Sequence, residues 1–123
     1  MDAIFINHTN HAVQAWSPEQ RRAAEKLGRI AELPFPQVQA DWDEAMVAGL
    51  AVSMAAKIAA MQPGAVLCQG EFTYTYRLVE LLKLSHIPVL AACSERRVRE
   101  WTDAQGQTRK ESVFQFVRFR RYV

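Results

Sequence analysis

The chain has 123 residues, half of them apolar and 23% charged, which suits one globular domain with one hydrophobic core and not a disordered segment. No run approaches the ~20 apolar residues of a membrane helix, and MDAIFINHTN has neither a basic n-region nor an A-x-A-like cleavage site, so a cytoplasmic protein is expected. Net charge is only +2, yet residues 96–123 hold eight of the 15 cations against three acids, +5 there and −3 elsewhere. Such a basic end fits an anionic partner, and it fits equally an edge hairpin that uses charge to resist sheet-to-sheet aggregation.

Strand-like and helix-like segments alternate along the chain, with no repeat and no linker. Ala3–Asn7 (AIFIN) reads as a strand buried on both faces. After the polar loop HTNHAVQAW, Ser17-Pro18-Glu19-Gln20 opens a helix, with Ser as cap, Pro at the first helical position and Gln closing a capping box. That helix runs to Leu27 and stops at Gly28, and Arg29–Leu33 reads as a second strand ended by Pro34-Phe35-Pro36. Asp41 is the expected cap of a longer helix from Trp42 to about Met61, rich in small residues and terminated by Pro63-Gly64. Ala65–Gln69 is the third strand. A third helix spans Glu71–Leu84 with Leu78, Leu81 and Leu82 as its buried stripe.

Ile87–Cys93 is a fourth, fully buried strand, and Arg96–Thr102 and Arg109–Arg121 flank the turn Asp103-Ala104-Gln105-Gly106 as a β-hairpin. The ending VFQFVRFRRYV sets Phe114 and Phe116 on one face but Phe119 on the other unless a bulge shifts the register. Consecutive β-α-β units require right-handed crossovers. The expected fold is α/β: a single Rossmann-like three-layer domain over residues 1–123, its sheet mostly parallel, closed by a C-terminal antiparallel hairpin.

In open α/β sheets ligands bind beyond the carboxyl ends of the strands. Those ends carry Asn7-His8-Thr9-Asn10-His11, Gln69-Gly70-Glu71-Phe72-Thr73 and Ser94-Glu95-Arg96-Arg97, whereas the opposite ends are plainer. His8 and His11, two histidines within four residues at a strand end, favour a functional role, and the Asn and Thr residues around them also suit a local cap of the sheet. They do not make a metal pair on a helix, and Cys68 and Cys93, far apart and without a C-x-x-C, support neither zinc nor a disulfide framework; both read as small buried hydrophobes.

Gly70 belongs to no G-x-G-x-x-G or Walker loop, so dinucleotides and nucleoside triphosphates held in the usual way are not expected, and no cofactor is. What remains is a helix N-terminus open to an anion, with Gln69, Gly70 and Thr73 beside it and the cations Arg96 and Arg97 nearby. Glu71 either satisfies that helix end or acts as a general acid or base. Phe72, Tyr74 and Tyr76 divide between core and base-stacking roles; Phe72 and Tyr76 are expected to face mostly inward, with Gln69, Gly70, Glu71 and Thr73 toward the ligand.

Phe5-Ile6-Asn7-His8, Trp16-Ser17-Pro18-Glu19-Gln20 and Leu33-Pro34, followed by strand, helix, strand and terminal hairpin, resemble the small stand-alone CARF-like proteins (CRISPR-associated Rossmann fold) of type III CRISPR systems, in particular the ring nucleases. The resemblance implies a homodimer that holds a cyclic oligoadenylate, cyclic tetra-adenylate first among them, across its twofold axis, and binds neither membrane nor duplex nucleic acid. It implies metal-independent cleavage that switches off an antiviral signal: the ribose 2′-OH attacks its own 3′-phosphate and leaves a 2′,3′-cyclic phosphate. His8 or His11 is then the acid or base, Glu71 its counterpart, and Asn7, Thr9, Asn10, Gln69, Gly70, Phe72, Thr73, Ser94, Arg96 and Arg97 the ligand contacts. No fixed motif of the family maps onto these residues, and the strand-end position alone selects them.

Overall fold

The computed structural model describes residues 3–123; Met1 and Asp2, which open the stretch read above for a leader, lie outside the described residues. The first apolar run forms β1 (Ile4–Thr9), which outlasts its apolar core because His8 and Thr9 still pair with Cys68 and Gln69 of β3 (Ala65–Gln69). A 3-10 turn (Val13–Ala15) leads into α1 (Pro18–Glu25), where the Ser17 hydroxyl accepts the Gln20 amide at 3.2 Å. α1 stops two residues short of the expected Leu27, and β2 (Arg29–Glu32) follows Gly28.

α2 (Glu44–Ala60) starts later than expected. The Trp42 amide is taken by a turn back to the Gln39 carbonyl, so Asp43 rather than Asp41 is placed to cap, and it accepts the Met46 amide at 2.9 Å. α3 (Phe72–Leu84) is capped by Glu71. The expected break between a fourth strand and a hairpin arm does not exist. With neither Pro nor Gly to interrupt it, β4 (Val89–Thr102) runs on through Arg96 and pairs with β5 (Thr108–Arg121).

These elements make a mixed α/β fold on a five-stranded sheet of order β2-β1-β3-β4-β5. The first four strands are parallel, and β5 closes the sheet antiparallel to β4. The chain leaves β1 toward β2 on one side and returns to β3 on the other, so strand order reverses between β1 and β3. Side chains alternate along each strand. Ile6, Val66, Cys68 and Val89 join Val47, Ala51 and Ile58 of α2 and Leu78 and Leu82 of α3 in one apolar cluster. Phe5, Ala65, Leu67 and Leu90 join Trp16, just before α1, and Ala24 of α1 in another. Burial of a leucine as complete as that of Leu78 or Leu82 contributes roughly 1.5–3 kcal/mol. No helix among the described residues is long and apolar enough to cross a membrane.

β4 pairs with β3 only at Val89 and Leu90, so from Ser94 onward the hairpin is a free two-stranded ribbon. Its tip is held by Asp103, whose carboxylate accepts the Gln105 and Gln107 amides and Arg109 Nε, each at 2.9 Å. Gly106 sits there at φ +79°, a left-handed conformation that favours glycine. At its base the register shifts: Cys93 faces Arg118 but Ser94 faces Phe116, which leaves Val117 as a bulge. The bulge lets Phe116 and Phe119, three apart in sequence, share a face with their rings 4.9 Å apart.

Candidate functional site

The carboxyl ends of β1 and β3 and the stretch of β4 just past its pairing with β3 open into a groove of about 730 Å³ on the α1 side of the sheet. Alternation decides who lines it. Thr9 lies on the same side of β1 as Phe5, and Gln69 on the same side of β3 as Leu67, so both face α1. β4 parts from β3 after Leu90, and the Ala92 amide would be left open there. Gln69 Oε1 accepts it at 2.8 Å, which aims the Gln69 amide group across the floor.

One wall is the loop after β1 and the start of α1. Its anchor is the His11 carbonyl, which accepts Asn7 Nδ2 at 2.9 Å, the Thr9 hydroxyl at 3.1 Å and Trp16 Nε1 at 3.2 Å. Asn7, almost fully buried, is thus the organiser of the loop rather than a ligand contact, and it also bonds Glu32. The His11 side chain is left exposed on the groove, with Ser17 and Gln20 beside it. The opposite wall is the hairpin: Ser94, Phe116 and Phe114, the last 77% exposed. Arg96 pairs in register with Phe114 and shares its face, and its guanidinium donates to Ser112 Oγ at 2.9 and 3.1 Å.

The other sequence candidates lie elsewhere. His8 points to the α2–α3 side with no exposure. Its Nδ1 is 2.8 Å from the Leu33 carbonyl, which only accepts, so Nδ1 carries the proton and Nε2 accepts the Tyr74 hydroxyl at 2.7 Å. Burial holds its pKa below the ordinary value, against the opposing pull of the Leu33 bond. Glu71 spends its carboxylate on α3, accepting the Tyr74 amide at 2.8 Å, the Thr73 amide at 3.1 Å and the Thr73 hydroxyl at 2.7 Å. Those bonds, the Tyr74 amide first and the Thr73 hydroxyl next, hold it below its usual carboxylate range and so ionised.

Gly70 packs under the Phe35 ring, leaving no room for a Cβ. Asn10 faces a neighbouring cleft of about 340 Å³ with Glu32 and Phe35, and Thr73 another of about 320 Å³ with Trp42 and Arg77. Arg97 pairs with Glu95 at 3.0 Å. The expectation for two of the aromatic residues is overturned: Phe72 and Tyr76, expected to face inward, are 88% and 69% exposed, whereas Tyr74 is fully buried in the core. Cys68 is a buried core residue, and burial pushes its thiol up to about 12.

The groove therefore gathers Thr9, His11, Gln69 and Ser94 from the sequence candidates. Sequence reasoning missed Trp16, Ser17, Phe114 and Phe116 as groove residues; strand alternation, which sets Phe114 and Phe116 on one face, was the available signal for the phenylalanines. Among the described residues, no group of three or more His, Cys, Asp or Glu is placed to hold a metal ion. Among those that line the groove there is no Lys or Arg.

The model of the family described as Uncharacterized protein MJ1673 family matches residues 3–120, from the start of β1 almost to the end of β5, and the chain belongs to that family. No curated protein matches it.

Proposed function

We propose that this member of the MJ1673 family binds a cyclic oligoadenylate, cyclic tetra-adenylate first, in the groove beside β1, β3 and β4, and cleaves it without a metal. The observation that carries this is the composition of the groove. An aromatic wall (Phe114, Phe116) faces hydrogen-bonding groups (His11, Gln69, Ser17, Ser94), which is what an adenosine needs: a π-face to stack on and partners for its base edge and ribose. Its position supports the reading too, because the reversal of strand order between β1 and β3 is where Rossmann-like folds hold ligands. Helices from α1 on one face and from α2 and α3 on the other suit such a three-layer arrangement.

One groove is too small and too poor in cations for a whole ring of phosphates. It seats one adenosine of the ring, with Arg96 at the rim for the adjoining phosphates. In the cleavage step the ribose 2′-oxygen forms a bond to phosphorus as the bond to the 5′-oxygen breaks. The 2′-OH proton leaves to a base, and the 5′-oxygen gains one; no water is consumed. His11 is the side chain in the groove suited to those transfers. His8, on the other side of the sheet, keeps the backbone in register, and Glu71 keeps α3 capped. Such an enzyme would act in the cytoplasm to end an antiviral signal.

The test is incubation with cyclic tetra- and hexa-adenylate in the presence of EDTA, resolved by anion-exchange chromatography because a single cut yields an isomer of the ring. Linear products ending in a 2′,3′-cyclic phosphate are expected. His11→Ala should slow the reaction by about 100-fold or more, the usual range for a lost general acid or base, with binding retained. Binding without cleavage removes the nuclease half and leaves a nucleotide-binding module. Neither binding nor cleavage at micromolar protein overturns the whole.

A further inference from the structure

The outer side of α3 shows solvent a row that no described residue covers. Phe72, Tyr76, Glu80 and Leu84 recur at a spacing of four, which aligns them as one ridge. Phe72 is 88% exposed, Tyr76 69% and Leu84 75%. Tyr122 and Val123 stand beside the ridge and complete, with Val79 and Lys83, an apolar cleft of about 810 Å³. Monomeric proteins seldom leave that many large apolar side chains contiguous in water.

We propose that this face of α3 is the interface with a second copy of the same chain, the two α3 helices packed antiparallel across a twofold axis level with Leu78. The ridge is complementary to its own reverse. An axis there sets Phe72 against Leu84 of the second copy, apolar on apolar, and Tyr76 against Glu80, hydroxyl donor on carboxylate acceptor. Glu80 has capacity for that bond, since its own-helix partner Arg77 reaches it only at 3.5 Å.

The charges argue for the same occupant. Arg77 and Lys83 flank the ridge and Glu80 lies within it, so both signs are present and a twofold can match them. A nucleic acid or an anionic lipid surface calls for one sign. The apolar side chains named expose on the order of 500 Å² per copy, and the flanking side chains bring the patch toward the ~800 Å² per partner of a standard interface. The interface stands whatever the groove binds.

Sedimentation velocity of the full chain across the micromolar range tests this. The unmodified protein should sediment as a dimer, and Phe72→Glu and Tyr76→Lys should each weaken it at least tenfold. Both positions are exposed, so circular dichroism should stay unchanged, while the melting temperature should lose only the concentration-dependent part that dimerisation adds. The Phe72→Cys/Leu84→Cys variant should oxidise to a covalent dimer; the two positions lie too far apart along one helix to bridge within it. A monomeric protein, or a dimer indifferent to Phe72→Glu, overturns the interface. A dimer broken by Phe72→Glu whose cysteine variant fails to cross-link overturns the antiparallel register.

Discussion

His8 and His11 stand three residues apart and serve different parts of the molecule. His8 shares the parity of Ile6, which turns it away from α1 into the aromatic cluster of Phe35 and Tyr74. It is neutral there, with both ring nitrogens engaged, and its pKa lies below the ordinary 6.5. The unfolded chain therefore takes up a proton that the native state resists. Stability is complete above about pH 6.5 and falls as pH drops toward the folded value, by up to about 1.4 kcal/mol per pH unit. Urea unfolding at a series of pH values should show that slope; its absence would mean that His8 is not held neutral. Glu71 acts in a lower window, stabilising above its ordinary 4.5 and losing that contribution as pH falls further. At neutral pH, Tyr74→Phe removes the donor to His8 Nε2 and should cost about 1–3 kcal/mol in the same assay, the usual result of an unsatisfied buried acceptor.

At the level of elements, the turn into α3 looks like a ligand loop and is a packing device. Gly70 is there because a Cβ would clash with the Phe35 ring. That ring cannot swing away freely, since it packs 5.2 Å from both His8 and Tyr74. Gly70→Ala should therefore cost about 1–3 kcal/mol, the range for overpacking, while nucleotide binding in the groove is unchanged. Loss of binding with no loss of stability would assign Gly70 to a ligand instead. The helix itself was legible. Tyr74, Leu78 and Leu82 fall at a spacing of four and define the buried meridian, which leaves Phe72 and Tyr76 outside it. Aromatic character alone misassigned those two; periodicity assigns them correctly.

Across the whole molecule, the free ribbon is the least supported part. Two strands without a third are marginal in water, and beyond Ser94 the hairpin rests on cross-strand pairs such as Arg99 with Glu111 and Glu100 with Lys110. Two ion pairs, Arg97 with Glu95 and Arg109 with Asp103, neutralise part of the basic end within the ribbon, and among the described residues Arg96, Arg118, Arg120 and Arg121 form no ion pair. Hydrogen exchange should be slow across β1, β3 and Val89–Leu90 and much faster over residues 94–116. Equal protection would show that a partner holds the ribbon.

The sequence by itself determined the element order, the parallel strands and the cap at Ser17. Apolar runs, glycine and proline stops and capping side chains are local, and local physics reads them. The face taken by each strand-end residue was decided only in three dimensions. It depends on strand parity relative to neighbours distant in sequence, on where β4 leaves β3, and on a bulge that appears only once Phe119 is anchored against Phe5.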